Sequence, residues 1–367
     1  MSRSFIFTSE SVAEGHPDKV CDFIADSILD ACLAQDPESR VACEVLCKDE
    51  HVILAGEISS LARIDAEAVA RAAIREIGYT DGAARFNADS AQVQNLIGPQ
   101  SPDIARGVNR ESALDMGAGD QGLVFGFATR ETPELLPLPI SLAHRVTRGL
   151  AEARKSQAVP WLRPDAKAQI SVRYEQGKPV EVTDAVVSTQ HAPATPQGEI
   201  HAFVEEQLLP LALGQWFRKG IRLFVNRTGE FVIGGPEGDC GLTGRKIIVD
   251  TYGGFARHGG GSFSGKDATK MDRSAAYFAR FVARQIVSQG LADCAEIQVA
   301  YAIGVAQPVS IGVDTRGTGD ERRAERFARQ FDYRPAAIIE QLDLRRPIYR
   351  ATTNYGHFGK LSLPWEK

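Results

Sequence analysis

Residues 17–58 read PDKVCDFIADSILDACLAQDPESRVACEVLCKDEHVILAGEI, one helix pattern followed by two strand patterns. Pro17 suits the first turn of a helix, where its missing N–H costs nothing. Val20, Cys21, Phe23, Ile24, Ile28, Leu29 and Cys32 then form one apolar face at helical spacing. Asp18, Asp22, Asp26 and Asp30 fall every fourth residue. The last three read as a solvated stripe, whereas Asp18 sits in the first turn beside His16 and Lys19. Runs 41–47 and 52–58 are β-rich and flank Asp49-Glu50. A hairpin turn there pairs Lys48 with His51 and Glu44 with Ala55. Glu57 then becomes a diagonal neighbour of Glu44 on the same face, roughly 7–8 Å away. Two acids on one face of otherwise apolar strands suggest a site for a cation or an amine. Asp65 caps a following helix that runs to Gly78.

The same order recurs twice. A short apolar run at 4–8 precedes the first helix. A strand at 122–129 leads to a helix opened by Pro139, paired strands at 168–174 and 179–188, and a helix at 199–213. A strand at 246–252 leads to a helix at 270–288, strands at 296–303 and 309–314, and a helix at 320–330. The leading helices begin near 17, 139 and 270, without residue identity between units. The pattern predicts an α+β fold of three similar β-α-β-β-α units, each with helices packed on one face of a mixed sheet. The polar stretch 97–122 is too long for a plain connector, which marks a lid or a linker.

With 367 residues, 43% hydrophobic, and a net charge of −5, the composition is that of an ordinary soluble protein. A mildly acidic chain is a poor general binder of nucleic acid or anionic membrane, so any anion site must be local. No signal peptide or membrane-length apolar run is present, and the six cysteines form no C-x-x-C pair. A cytoplasmic location is the expectation.

Residues 234–270, GGPEGDCGLTGRKIIVDTYGGFARHGGGSFSGKDATK, hold eleven glycines interleaved with Arg245, Lys246, Arg257, Lys266 and Lys270. Glycine lets backbone N–H groups face an anion, and the cations add charge at short range. Residues 260–266 match G-x-x-x-x-G-K, but Asp267 follows where a P-loop needs Ser or Thr, and no apolar strand immediately precedes it. A nucleotide site could instead combine this stretch with His16, Asp18 and Lys19, Asp18 binding Mg²⁺ and Lys19 reaching an anion from a helix start.

SESVAEGHPDKVCD, SPDIARGV, GAGDQG, WLRPDAK, VVSTQH, FVIGGPEGDCGLTGRKIIVDTYGG, HGGGSFSGKD and YGHFG occur in this order. Together they resemble the S-adenosylmethionine synthetase (methionine adenosyltransferase) family from about residue 4 to the C-terminus. The resemblance implies pseudo-threefold domains at 1–102, 115–233 and 234–367, with a mobile gate at 97–110; whether the spatial domains interleave chain segments stays open. It implies a dimer or dimer of dimers with shared active sites, two Mg²⁺ and one K⁺ per subunit, and ATP and L-methionine as substrates. The methionine sulfur attacks C5′ of ATP, and the leaving triphosphate is hydrolysed to pyrophosphate and phosphate.

By the same resemblance His16 lies against the triphosphate and C5′, Asp18 and Asp272 hold Mg²⁺, and Glu44 holds K⁺. Asp165, Ala166 and Lys167 line the nucleotide site, with Lys167 on phosphate and Phe231 near adenine. Asp239 contacts both substrates, and Arg245, Lys246 and Lys266 grip phosphates. Glu57, Gln100, Asp120 and Lys270 belong to the methionine side. Ser262 stands where the family commonly has Ala, and Glu230, at the ATP site, where it more often has Arg. Pro99 lies within the gate. A P-loop kinase and a non-catalytic regulatory subunit are the alternative readings.

Overall fold

The computed structural model describes residues 4–99 and 116–367. In the first third, β1 (Ser4–Val12) leads to α1 (Pro17–Leu33), the hairpin β2 (Arg40–Lys48) and β3 (His51–Ser59), α2 (Ala66–Ile77) and β4 (Gln92–Gly98). The second third runs β5 (Gly122–Thr129), α3 (Leu138–Lys155), β6 (Leu162–Glu175), β7 (Lys178–His191), α4 (Gln197–Phe203), a π-helical turn at Val204–Leu208, α5 (Leu209–Leu213) and β8 (Arg222–Val225). The last runs α6 (Gly235–Gly238), β9 (Gly241–Leu242), α7 (Ile247–Asp250), α8 (Met271–Ser288), β10 (Cys294–Tyr301), β11 (Ser310–Asp314), α9 (Glu321–Ala328) and α10 (Pro335–Gln341).

Local chemistry explains the main elements. Pro17 starts α1 beyond the His16 N-cap, and Asp65 and Asp320 cap α2 and α9 by accepting backbone N–H bonds at 3.0 Å and 3.1 Å. Gly78 ends α2 at φ 109°, a left-handed position that suits glycine. The β2–β3 hairpin has the expected register, Lys48 opposite His51 and Glu44 opposite Ala55.

The sheets run β4-β3-β2-β9, β1-β6-β7-β8 and β11-β10-β5. Each hairpin (β2–β3, β6–β7, β10–β11) stays within its own third, but each leading strand does not. β1 pairs antiparallel with β6, β5 with β10, and β9 with β2. Each third therefore gives its leading strand to another third's sheet, and the three exchanges close a ring. That cyclic exchange is the threefold relation expressed in hydrogen bonds. The first and last thirds share one apolar core, which Val124, Phe127 and Ala128 of β5 enter, most of the rest of the middle third forms a second with Ala13, and Phe255 packs against both.

Three expectations are corrected. The acidic stripe on α1 is buried: Asp22 and Asp26 are 0% exposed and Asp30 7%. Stretch 246–252 is the short helix α7 rather than a strand, because a short apolar run does not fix its own period and Asp250 is drawn into a buried ion pair with Lys19. The leading strand of the last third is instead the two-residue β9. Residues 97 and 98 belong to β4, parallel to β3, rather than to a loop; from Gln100 onward the proposed gate lies outside the described residues. Among the described residues no helix is long and apolar enough to cross a membrane. All six cysteines are free, and five are buried.

Candidate functional site

The glycine-rich stretch meets the edge of β2 twice. First Gly241 and Leu242 pair with Cys47 and Leu46. Then Gly265 O accepts from Cys43 N–H at 2.9 Å, and Asp267 N–H donates to Val41 O at 3.1 Å. Gly241 is required because an added Cβ would lie 2.2 Å from Pro17 O. Gly265, at φ +81°, would place one 1.9 Å from Cys43 O. The stretch is thus threaded against the start of α1, and its cations project beside it.

A first group of side chains gathers there. The Asp18 backbone N–H donates to His16 Nδ1 at 3.2 Å. Asp18 Oδ1 accepts from Leu242 N–H at 3.0 Å, and Oδ2 accepts from Lys246 Nζ at 2.6 Å. Arg245 Nε lies 3.6 Å from Asp18 Oδ1. Burial, with Lys246, Lys167, Lys19 and Arg245 around it, drives the His16 pKa down to about 2. The imidazole is therefore neutral, and with Nδ1 accepting, its proton sits on Nε2.

Lys167 stands exposed on β6 directly after Asp165 and Ala166, and Ala166 O accepts from Ala13 N–H at 2.8 Å. Asp165 Oδ2 accepts from Gly235 N–H at 2.8 Å, while Oδ1 is buried without a hydrogen-bond partner. Burial raises this acid to about 6, with Asp239 and Asp18 adding to the rise. Phe231 is half-buried and tied to His191 through its own N–H, 3.0 Å from Nε2. Asp239 and Glu230 are exposed.

A second group lies along the other end of β2. Lys266 Nζ donates to Asp272 at 2.7 Å, and Lys270 pairs with Asp267. Asp267 is buried and also accepts from Val41 N–H at 2.7 Å, so its carboxylate ties the loop to β2. Glu44 and Glu57 are both exposed on the outward face of the hairpin. Partial burial raises the Glu44 acid, and Lys266 pulls it back. Asp120 is exposed, and its Oδ1 accepts from Gln121 N–H. Ser262 packs on Gly244, where an added Cβ would come 2.4 Å from the serine Cβ. Among the described residues no hydrogen bond or ion pair joins the two groups.

Several supporting residues gave no local signal. Lys19 does not reach outward: it is fully buried between Asp22 and Asp250. Burial alone would lower its pKa, but the two acids hold it above the ordinary lysine value. Asp22 Oδ1 accepts from Gly244 N–H at 2.8 Å, which seats the backbone just before Arg245. Tyr79 OH donates to Gly15 O at 2.5 Å. Gln190 bridges Asp165 N–H at 3.2 Å and Val232 O at 2.9 Å. Only the fourfold acidic spacing on α1 was visible beforehand.

The chemistry of this arrangement is electrostatic. Lys167, Arg245 and Lys246 surround a neutral histidine, a setting for a polyanion rather than for proton abstraction. Among the described residues no three His, Cys, Asp or Glu side chains are grouped for a metal. Asp18 and Asp272 are each single carboxylates beside a lysine. Such a donor fits Mg²⁺ that keeps water and phosphate oxygens in its octahedron. Glu44 offers an exposed carboxylate suited to a weakly held monovalent cation.

Sequence models of the S-adenosylmethionine synthetase N-terminal, central and C-terminal domains match residues 4–102, 115–231 and 233–367. The chain is also similar to an S-adenosylmethionine synthase of Helicobacter hepaticus, at 54% identity over 373 residues covering 100% of this chain and 96% of the relative. With three consecutive domain matches and this full-length likeness, the chain belongs to the S-adenosylmethionine synthetase family.

Proposed function

We propose that this chain, an enzyme of the methionine adenosyltransferase class, makes S-adenosylmethionine from ATP and L-methionine by sulfur attack on C5′, with the whole triphosphate leaving. The observation that carries this reading is the neutral His16 held among Lys246, Lys167 and Arg245. A thioether has no proton to lose, so the first step needs no general base. Its barrier lies in charge on the departing triphosphate, about four negative charges at neutral pH, and preorganised cations lower it.

Arg245, Lys246 and Lys266 bind the phosphates, Lys246 and Lys266 releasing Asp18 and Asp272 as they do so. His16 donates from Nε2 toward the leaving oxygen. Lys167 also reaches the phosphates, while Asp165, Ala166 and Phe231 hold the nucleoside end, with Glu230 at its rim. Asp239 lies between the substrates, and Glu57, Gln100, Asp120 and Lys270 serve methionine. Asp18 and Asp272 would hold Mg²⁺ and Glu44 K⁺; Mg²⁺ supplies charge neutralisation of the triphosphate and its subsequent hydrolysis. The separation of the two residue groups along β2 supports sites completed by a second copy of the chain, as a dimer or dimer of dimers in the cytoplasm.

The test incubates the protein with ATP, methionine, Mg²⁺ and K⁺ and resolves the products. The reading expects a sulfonium product with equal pyrophosphate and phosphate. ADP as the main product, or ATP binding without turnover, would sink it.

A further inference from the structure

A cavity of about 400 Å³ opens where the three thirds of the chain meet, within the range of roughly 300–1,000 Å³ usual for small-molecule sites. Glu14, Arg148, Lys155 and Arg350 stand around it with Asn354 and Tyr355. The last two belong to the C-terminal segment that contains YGHFG, a motif to which the reaction assigns no role.

The charges are unbalanced. Lys155 donates to Glu14 at 2.8 Å, and Arg350 pairs with Glu76. Arg148 has no carboxylate partner among the described residues; its guanidinium carbon lies 5.4 Å from the centre of the Tyr355 ring. The Tyr355 hydroxyl and Asn354 Oδ1 are buried without hydrogen-bond partners, which native structures seldom leave so. The turn presenting them is locked: Lys360 Nζ donates to the carbonyls of Ala351, Thr352 and Asn354 at 2.7, 2.9 and 2.6 Å. Tyr355 itself is held at φ 60°, a conformation bulky residues avoid and one that concentrates at functional sites.

We propose that this cavity is a second ligand site, separate from the catalytic cluster, that takes a small organic phosphate. Arg148 and the Tyr355 hydroxyl bind its oxygens, Lys155 and Arg350 add charge, and Asn354 Oδ1 accepts a hydrogen bond from an N–H or O–H on the ligand's body. Arg148, Lys155, Arg350 and Lys360 outnumber the lining carboxylates Glu14 and Glu76, a net positive cavity that suits a phosphate. The site also has a route to the chemistry. Glu14 joins Arg154 and Lys155 of α3 and lies two residues before His16. An anion that draws Lys155 away from Glu14 loosens the turn that carries His16.

Phenyl phosphate, which tests the phosphate contacts without the donor to Asn354, is the probe, titrated calorimetrically into the full-length protein with a non-hydrolysable ATP analogue and Mg²⁺ present in excess. One further phosphate per chain should bind. Arg148→Ala and Tyr355→Phe should each weaken it about tenfold or more, the loss expected for one charge-assisted hydrogen bond. Lys246→Ala, in the catalytic cluster, should leave it unchanged. Absence of binding in the native protein overturns the proposal. So does binding that Lys246→Ala abolishes while the two cavity variants leave it intact, since the phosphate then occupies the catalytic cluster.

Discussion

The pair Asp26–Arg273 is the sharpest test of how the first and last thirds are joined. Both side chains are 0% exposed, and the carboxylate meets the guanidinium through two bonds of 2.7 Å. Gly265 N–H adds a third bond to Asp26 at 2.8 Å, so α1, α8 and the glycine stretch converge on one acid. Asp26→Asn removes the charge and replaces an acceptor oxygen with a donor that faces Arg273. Arg273 keeps Lys266 O, Thr352 Oγ1 and Tyr277 OH as neutral partners but loses its counter-ion. Breaking a buried pair from one side costs about 3–5 kcal/mol. At roughly 2 °C per kcal/mol for a large domain, Tm should fall by about 6–10 °C. The apolar swap Asp26→Leu with Arg273→Met should recover most of that loss, because it leaves no lone charge. Thermal unfolding of the three proteins decides the matter. A fall of under about 2 °C for Asp26→Asn would mean that this buried carboxylate is not what clamps the two thirds.

Other outcomes follow from the site. His16 should show no titration between pH 5 and 8 by NMR, with its proton on Nε2. Its folded pKa lies below the unfolded value, so the unfolded chain takes up the proton first. Stability from this group should therefore fall by about 1.4 kcal/mol per pH unit below about 6.5, and His16→Gln should remove that part of the acid sensitivity. Lys246→Met should lower kcat by about 10²-fold or more, as loss of a preorganised charge does, with the fold retained by circular dichroism. Glu44→Gln should lose most of the response to K⁺ while keeping the Mg²⁺ dependence, read as rate against each cation. Tyr79→Phe removes the bond to Gly15 O and should cost about 1 kcal/mol of stability, measured in urea.

The helices and hairpins were legible because their signals are local. Pro17, Asp65, Gly78 and the Asp49-Glu50 turn act within a few residues, and the apolar period of α1 needs no partner. What the local pattern could not supply was the destination of each piece. Asp22, Asp26 and Asp30 look like a wet helix face until Gly244, Arg273 and the N–H groups of Tyr349 and Arg350 are brought to them. The exchange of β1, β5 and β9 is equally silent, because a strand's own residues do not name the sheet it joins. The candidate site shows the same division. His16, Asp18 and Lys246 stood out by motif, but the ion pair of Asp18 with Lys246, the burial of Lys19 and the bond from Tyr79 to Gly15 depend on contacts from distant segments.

The central claim is that bond breaking occurs at carbon, with the cations gripping a leaving triphosphate. ATP labelled with heavy oxygen in the C5′–O–P bridge tests it directly under turnover with methionine, Mg²⁺ and K⁺. The account predicts that all the label leaves with the phosphates and appears in the pyrophosphate and phosphate pool, with none on a nucleoside product. Label retained on the ribose 5′ carbon would show attack at phosphorus and contradict it.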